Sequence, residues 1–171
     1  LPFPIYIKVV EDPFLTLTTA EHNDVFRDVH QAMAEHWAAK LLPKHFKQNA
    51  RAIYKYRRRQ ARTIRRKQGA AAAGQAALGG SVDLVWSGLL MRAVLGYQEI
   101  KATHARGTVR MFGPSYLRQR PIRNQPDMAA EITTVIPSEI KELEQVAEAA
   151  YSAAVSKLHG SKIKTFGSPT P

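Results

Sequence analysis

From Lys40 to Lys67 the chain carries twelve Lys or Arg residues and no Asp or Glu, and "IYKYRRRQARTIRRKQG", residues 53 to 69, holds eight of the twelve. No other feature restricts the fold as much. An unpaired guanidinium or ammonium in an apolar interior is prohibitively costly, so the charged heads of this stretch must reach solvent or a partner. Outside it, thirteen basic residues are set against fourteen acidic ones, so the formal charge of +11 belongs to this one segment. A single-sign field of this kind steers anionic partners, which include acidic protein surfaces as well as nucleic acid.

The rest of the chain has the composition of a folded domain. Apolar residues make up 44% and charged residues 23% of 171, with a mean hydropathy of −0.30, which separates it from a disordered basic tail. That length suits one α+β domain over residues 1–160, followed by a flexible or partner-docked C-terminal tail over 161–171. No run approaches the roughly 20 apolar residues of a membrane-spanning helix, and the opening "LPFPIYIKVVEDPF" lacks the pattern of a secretory signal. The expected setting is the cytoplasm or a particle assembled there. Leu1 as first residue leaves an initiator or short leader expected ahead of it. The absence of Cys excludes disulfides, thiolate catalysis and Cys-ligated metal centres.

Local patterns give an order of elements. Ile5 to Val10 is β-branched and aromatic and reads as a strand. Thr18 and Glu21 form a capping-box signature ahead of Val25, Val29, Met33 and Trp37, which predicts a helix from Thr19 to Leu42. Pro43 predicts a kink or a new start, and a second, basic helix is expected from Pro43 to Lys67 with Phe46, Ala50, Ile53, Tyr54, Ala61 and Ile64 on its apolar face. Arg57 falls on that same face and must snorkel, pair or meet a neighbouring subunit.

"GAAAAGQAALGG", residues 69 to 80, reads as a loop, with a short Ala-rich helix as the rival. Ser87 caps a short helix over 88–95, and residues 98 to 113 suggest two strands around a turn at Ala105 to Gly107. Ala129 to Ile136 reads as a further strand. Pro137 then opens the clearest helix, with Ile140, Leu143, Ala147, Ala150, Tyr151, Ala154 and Leu158 on one face and Gly160 as its expected stop. The sum is an α+β fold, a small mostly antiparallel sheet packed by two or three long helices, with an extended loop.

Three sets of residues are candidates for contact or chemistry. Lys55, Arg57, Arg58, Arg59, Arg62, Arg65, Arg66 and Lys67 offer contacts to a subunit, an acidic partner or DNA, although a solvated polar face explains the same letters. No helix-turn-helix turn, zinc-finger ligand set or aromatic RNA-binding motif accompanies them, so any nucleic-acid binding would be unspecific and salt-sensitive. Arg118, Arg120 and Arg123 lie in a proline-rich stretch that suits an extended contact loop. Asp83 with Glu99 and Lys101 resembles the acidic and Glu-x-Lys arrangement of a large nuclease superfamily, in which carboxylates hold a divalent ion. An exposed cross-strand ion pair accounts for Glu99 and Lys101 equally well. The six histidines form no close ligand pair and read as surface or interfacial residues, and no metal or cofactor is expected.

Taken in order, "HWAAKLLPKHFKQNARAIYKYRRRQ", "DLVWSGLLMRAV", "ARGTVRMFGPSYL" and "PDMAAEITTVIPSEIKELEQVAEAAYSAAV" resemble the minor tail and tail-completion proteins of tailed bacteriophages, over about residues 30 to 155. Phe46, Ala50, Tyr54, Tyr56 and Arg57, then Leu84, Ser87, Gly88 and Leu89, then Gly107, Val109, Pro114, Tyr116, Glu131, Pro137 and Glu139 carry the likeness. The resemblance implies a non-enzymatic virion protein of the neck or upper tail, a head–tail joining, tail-completion or tail-terminator component. Such a component forms a homo-oligomeric ring around the DNA channel. Its implied partners are further copies of itself, other neck, connector and tail-tube proteins and, nonspecifically, the channel DNA; no membrane is involved. The enlarged join at residues 69 to 80 departs from the family pattern. The rival readings are a free nonspecific nucleic-acid-binding protein and a metal-dependent nuclease-like domain.

Overall fold

A computed structural model describes residues 17–57, 65, 89–114 and 127–166. Over these residues the fold is α+β, with five helices and one two-stranded antiparallel sheet. The helices are α1 (Thr19–His36), α2 (Ala50–Tyr54), α3 (Leu89–Gly96), α4 (Met128–Ile132) and α5 (Pro137–Phe166), and the strands are β1 (Gln98–Ala102) and β2 (Gly107–Met111). The expected strand at 5–10, the loop at 69–80, the Ser87 cap and the proline-rich stretch with Arg118, Arg120 and Arg123 lie outside the described residues. So do Arg58, Arg59, Arg62, Arg66, Lys67 and Asp83. No helix among the described residues is long and apolar enough to cross a membrane.

Two compact units emerge, one gathering 17–36, 100–109 and 140–166, the other 37–57, 89–99, 110–114 and 127–139. In the first, α1 starts at the capping box expected from sequence. The Thr18 N–H donates to Glu21 Oε2 at 2.8 Å and the Glu21 N–H returns to Thr18 Oγ1 at 3.3 Å. Val25, Val29 and Met33 are buried on one face of α1, and Leu143, Ala147 and Val155 on one face of α5. His36 Nε2 meets Glu142 Oε1 at 2.8 Å, joining the same two helices at their polar margin. The hairpin turn is closed by the Thr103 N–H donating to the Arg106 carbonyl at 2.9 Å, and His30 Nδ1–H donates to the Thr103 carbonyl at 3.1 Å.

Gly107 sets how near the hairpin can come. A Cβ placed there would stand 2.6 Å from the His30 carbonyl oxygen and 3.3 Å from Ala34 Cβ, so the β2 backbone packs directly on the backbone of α1. No side chain fits between them.

The second unit begins where α1 loses its regular pitch. Pro43 has no N–H to give, and its ring would collide with a carbonyl one turn back. The chain widens into a π-turn over Trp37–Leu41 and then tightens into a 3-10 turn over Leu42–Phe46, with Pro43 in its first turn. The expected kink is there, and Trp37, Ala38, Leu41, Leu42 and Phe46 are all buried around it.

Four expectations need correction. The basic helix from Pro43 to Lys67 is not continuous: Lys47 is extended (φ −83°, ψ 160°), α2 restarts at Ala50, and Lys55 ends it in the left-handed region (φ 54°, ψ 40°). Ile53 and Arg57, assigned to its apolar face, are exposed, and Tyr56 is buried instead. Residues 128–132 are helical and not a strand. Asp127 caps them by accepting the Ala130 N–H at 3.0 Å, and the hydroxyls of Thr133 and Thr134 donate back to the carbonyls of Ala129 and Ala130, which satisfies the end of the turn before the β-branched run can extend. Finally, α5 does not stop at Gly160 but continues through it to Phe166. A glycine inside a helix costs about 1 kcal/mol against alanine, which weakens a helix without ending it.

Replacing Gly107 with alanine is expected to lower stability by about 1–3 kcal/mol, the range for overfilling a packed site, as read by urea denaturation. An unchanged midpoint would show that the strand can lift from α1 freely.

Candidate functional site

The described part of the basic segment is held by an aromatic cluster. His45 is fully buried, Tyr54 is 5% exposed and Tyr56 is 6% exposed. The imidazole stacks on Tyr54 with ring centroids 3.9 Å apart, and the two tyrosine rings stack at 5.5 Å. Tyr56 Oη is hydrogen-bonded to His45 Nδ1. Tyr54 O–H donates to Glu139 Oε1 at 2.5 Å, and Glu139, 2% exposed, accepts the Ile136 N–H at Oε2 (3.3 Å).

These contacts explain why the helix breaks. In a straight helix residues 45 and 56 would lie about 16 Å apart along the axis, too far for a hydrogen bond. Burying three aromatic rings together requires the chain to turn back, and that burial outweighs the helical hydrogen bonds given up between Phe46 and Ala50. Glu139 completes the arrangement from the first turn of α5, where its carboxylate favours the positive end of the helix and closes a capping interaction onto Ile136. A carboxylate this deeply buried needs its partners. Removing the Tyr54 hydroxyl would leave one of its oxygens unsatisfied, at a cost on the order of 1–3 kcal/mol.

Burial holds the His45 imidazole neutral, lowering its pKa from 6.5 to about 4, and the Glu131 backbone opposes only part of that shift. Nε2 has no partner within hydrogen-bonding geometry. With the Tyr56 O–H donating to Nδ1, the neutral ring carries its proton on Nε2. The expectation of surface or interfacial histidines is therefore wrong for His45, and also for His30, which is 8% exposed. Sequence reading also missed Tyr56 and Glu139 as interior polar groups. The available signal was a His and two Tyr crowded into the thirteen residues after Pro43, with too few large apolar residues there to form a helix face alone.

Around this anchor the cations face outward. Lys40, Lys47, Arg51, Lys55, Arg57 and Arg65 are exposed. From Tyr54 to Arg57 the chain alternates buried, exposed, buried, exposed, so Lys55 and Arg57 leave the surface from a backbone fixed by the tyrosine on either side of Lys55. No family model, curated protein or solved structure matches the chain.

The nuclease-like letters have a simpler partner. Arg110 Nη1 on β2 donates to Glu99 Oε2 on β1 at 3.3 Å, which gives Glu99 a cross-strand ion pair. Lys101 is exposed on the same strand, and Asp83 lies outside the described residues. Among the described residues no three His, Asp or Glu side chains gather as a metal site.

The lowered pKa of His45 makes stability pH-dependent with a definite sign. The unfolded chain takes up a proton near pH 6.5 and the folded chain only near 4, so this contribution is complete above 6.5 and is lost as pH falls between the two values. The loss is on the order of 2–3 kcal/mol. Urea denaturation of wild type and His45→Phe at pH 7 and pH 4.5 is expected to show a smaller acid loss in the variant. Equal losses would mean that the imidazole is not held neutral.

Proposed function

We propose that the chain is a structural virion protein of the neck or upper tail of a tailed bacteriophage. It works as one copy in a homo-oligomeric ring that joins the head connector to the tail around the DNA channel. The ordered resemblance of four sequence blocks to tail-completion proteins brings this reading forward. The observation that carries it is the basic segment itself, free of carboxylates and pinned at its start to a folded unit by His45, Tyr54, Tyr56 and Glu139.

A ring gives such a segment a use. Cyclic symmetry presents the same face of every copy to its neighbour or to the channel, and a modest electrostatic contact is multiplied by the number of copies. In this reading the segment lies at a subunit boundary, where it meets acidic neighbours or DNA. The protein carries out no chemistry, and its partners are its own copies and the adjoining connector and tail proteins.

Cryo-electron microscopy of phage particles that contain the chain tests the assignment. Several copies are expected in a closed ring between the head vertex and the tail. Absence of the chain from purified particles, or its presence as a single copy, would contradict the proposal.

A further inference from the structure

The residue at the exit of the aromatic cluster is an unusual one for its backbone. Lys55 occupies the left-handed region (φ 54°, ψ 40°) at the end of α2, and it is the one non-glycine among the described residues with positive φ. In that conformation a side chain bearing a Cβ crowds the following carbonyl, and glycine is the usual occupant at the end of a helix. Tyr54 and Tyr56 fix the backbone on either side, and the exposed Lys55 side chain adds nothing to the interior. The fold therefore explains the conformation but not the choice of lysine. A cation at a strained, exposed position directs attention to a contact outside the fold.

We propose that Lys55 and Arg57 form the fixed end of a track for the phosphate backbone of duplex nucleic acid, bound without regard to sequence. Both side chains leave a backbone already ordered by the cluster, so little main-chain freedom is lost on binding. Exposed Lys47 precedes them and exposed Arg65 follows. Arg57 can take a phosphate in two-pronged fashion, and Lys55 acts as a point charge.

The nature of the partner follows from the missing sign. Protein surfaces mix charges, whereas a nucleic-acid backbone carries one sign throughout. Twelve cations over residues 40–67 with no carboxylate among them match a partner whose charge is equally unmixed, which a polyphosphate backbone is and an acidic protein patch is not. The absence of any base-reading motif limits the contact to phosphates.

The track belongs to each copy, so binding is measured on the isolated full-length chain whether or not it assembles. Failure to bind would leave the ring assignment standing, and absence from particles would leave the track standing. The experiment is fluorescence anisotropy with two short DNA duplexes of unrelated sequence over a series of salt concentrations. Wild type is expected to bind both alike, with affinity falling linearly in log–log form as salt rises. Lys55→Gly is expected to weaken binding several-fold and to reduce the salt slope by about one phosphate contact, while its unfolding midpoint stays level or rises because glycine relieves the backbone. Arg57→Glu, at an exposed position outside the cluster, is expected to weaken binding by about tenfold or more and serves if the first variant does not fold. Wild-type affinity in both variants, or no binding at low salt, would overturn the proposal. So would displacement of the duplex by poly-glutamate as effective as displacement by unlabelled duplex, because that outcome assigns the track to an acidic polypeptide.

Discussion

A neutral imidazole buried against two tyrosines decides the path of the chain from Pro43 to Arg57. Burial holds His45 neutral, and Tyr56 comes back to pair with its Nδ1. That return interrupts the helix the sequence would otherwise extend, places Lys55 in the left-handed region and turns Arg57 outward. The stack then fixes the Tyr54 hydroxyl against Glu139, which ties the segment to the first turn of α5. Two buried polar contacts thus link the turn after Pro43, the start of the basic run and the first turn of α5.

This arrangement separates two tasks that a basic segment usually sets against each other. Cations resist burial, and a run of them gives the chain little apolar surface with which to order itself. Over residues 45–57 the ordering is supplied by aromatic residues placed between the cations, and Lys47, Arg51, Lys55 and Arg57 stay exposed. A preordered cationic edge meets a partner with less conformational entropy to lose than a floppy tail would. The same property would serve the proposed ring subunit facing its neighbour and the proposed surface facing polyphosphate.

Much of the fold was legible in local patterns. The Thr18–Glu21 box, the Val25–Val29–Met33 stripe, the disturbance at Pro43 and the hairpin over 98–113 follow from capping chemistry and from periodicity, which act over a few residues and leave their mark in the order of letters. What could not be read was set by contacts across long separations. Ala129 to Ile136 looks like a strand because its β-branched residues dominate the count, yet one carboxylate at Asp127 and two threonine hydroxyls suffice to make its first half a helical turn. The basic helix looked continuous because Phe46, Ala50 and Tyr54 recur at helical spacing. The break depends on His45 meeting Tyr56, and on Glu139 lying 85 residues from Tyr54. The site was half visible: the charge was plain, but the anchor was hidden in residues that read as surface histidine, ordinary core and a helix-end charge.

The central claim is that His45 is neutral, buried and bonded to the Tyr56 hydroxyl in the folded chain. Nuclear magnetic resonance of the imidazole nitrogens and tyrosine hydroxyl protons tests it on the molecule directly. The account predicts a proton on Nε2 and none on Nδ1, a titration midpoint near 4, and hydroxyl protons of Tyr54 and Tyr56 that exchange slowly with water. An imidazole titrating at its ordinary 6.5, with hydroxyl protons lost to rapid exchange, would contradict it.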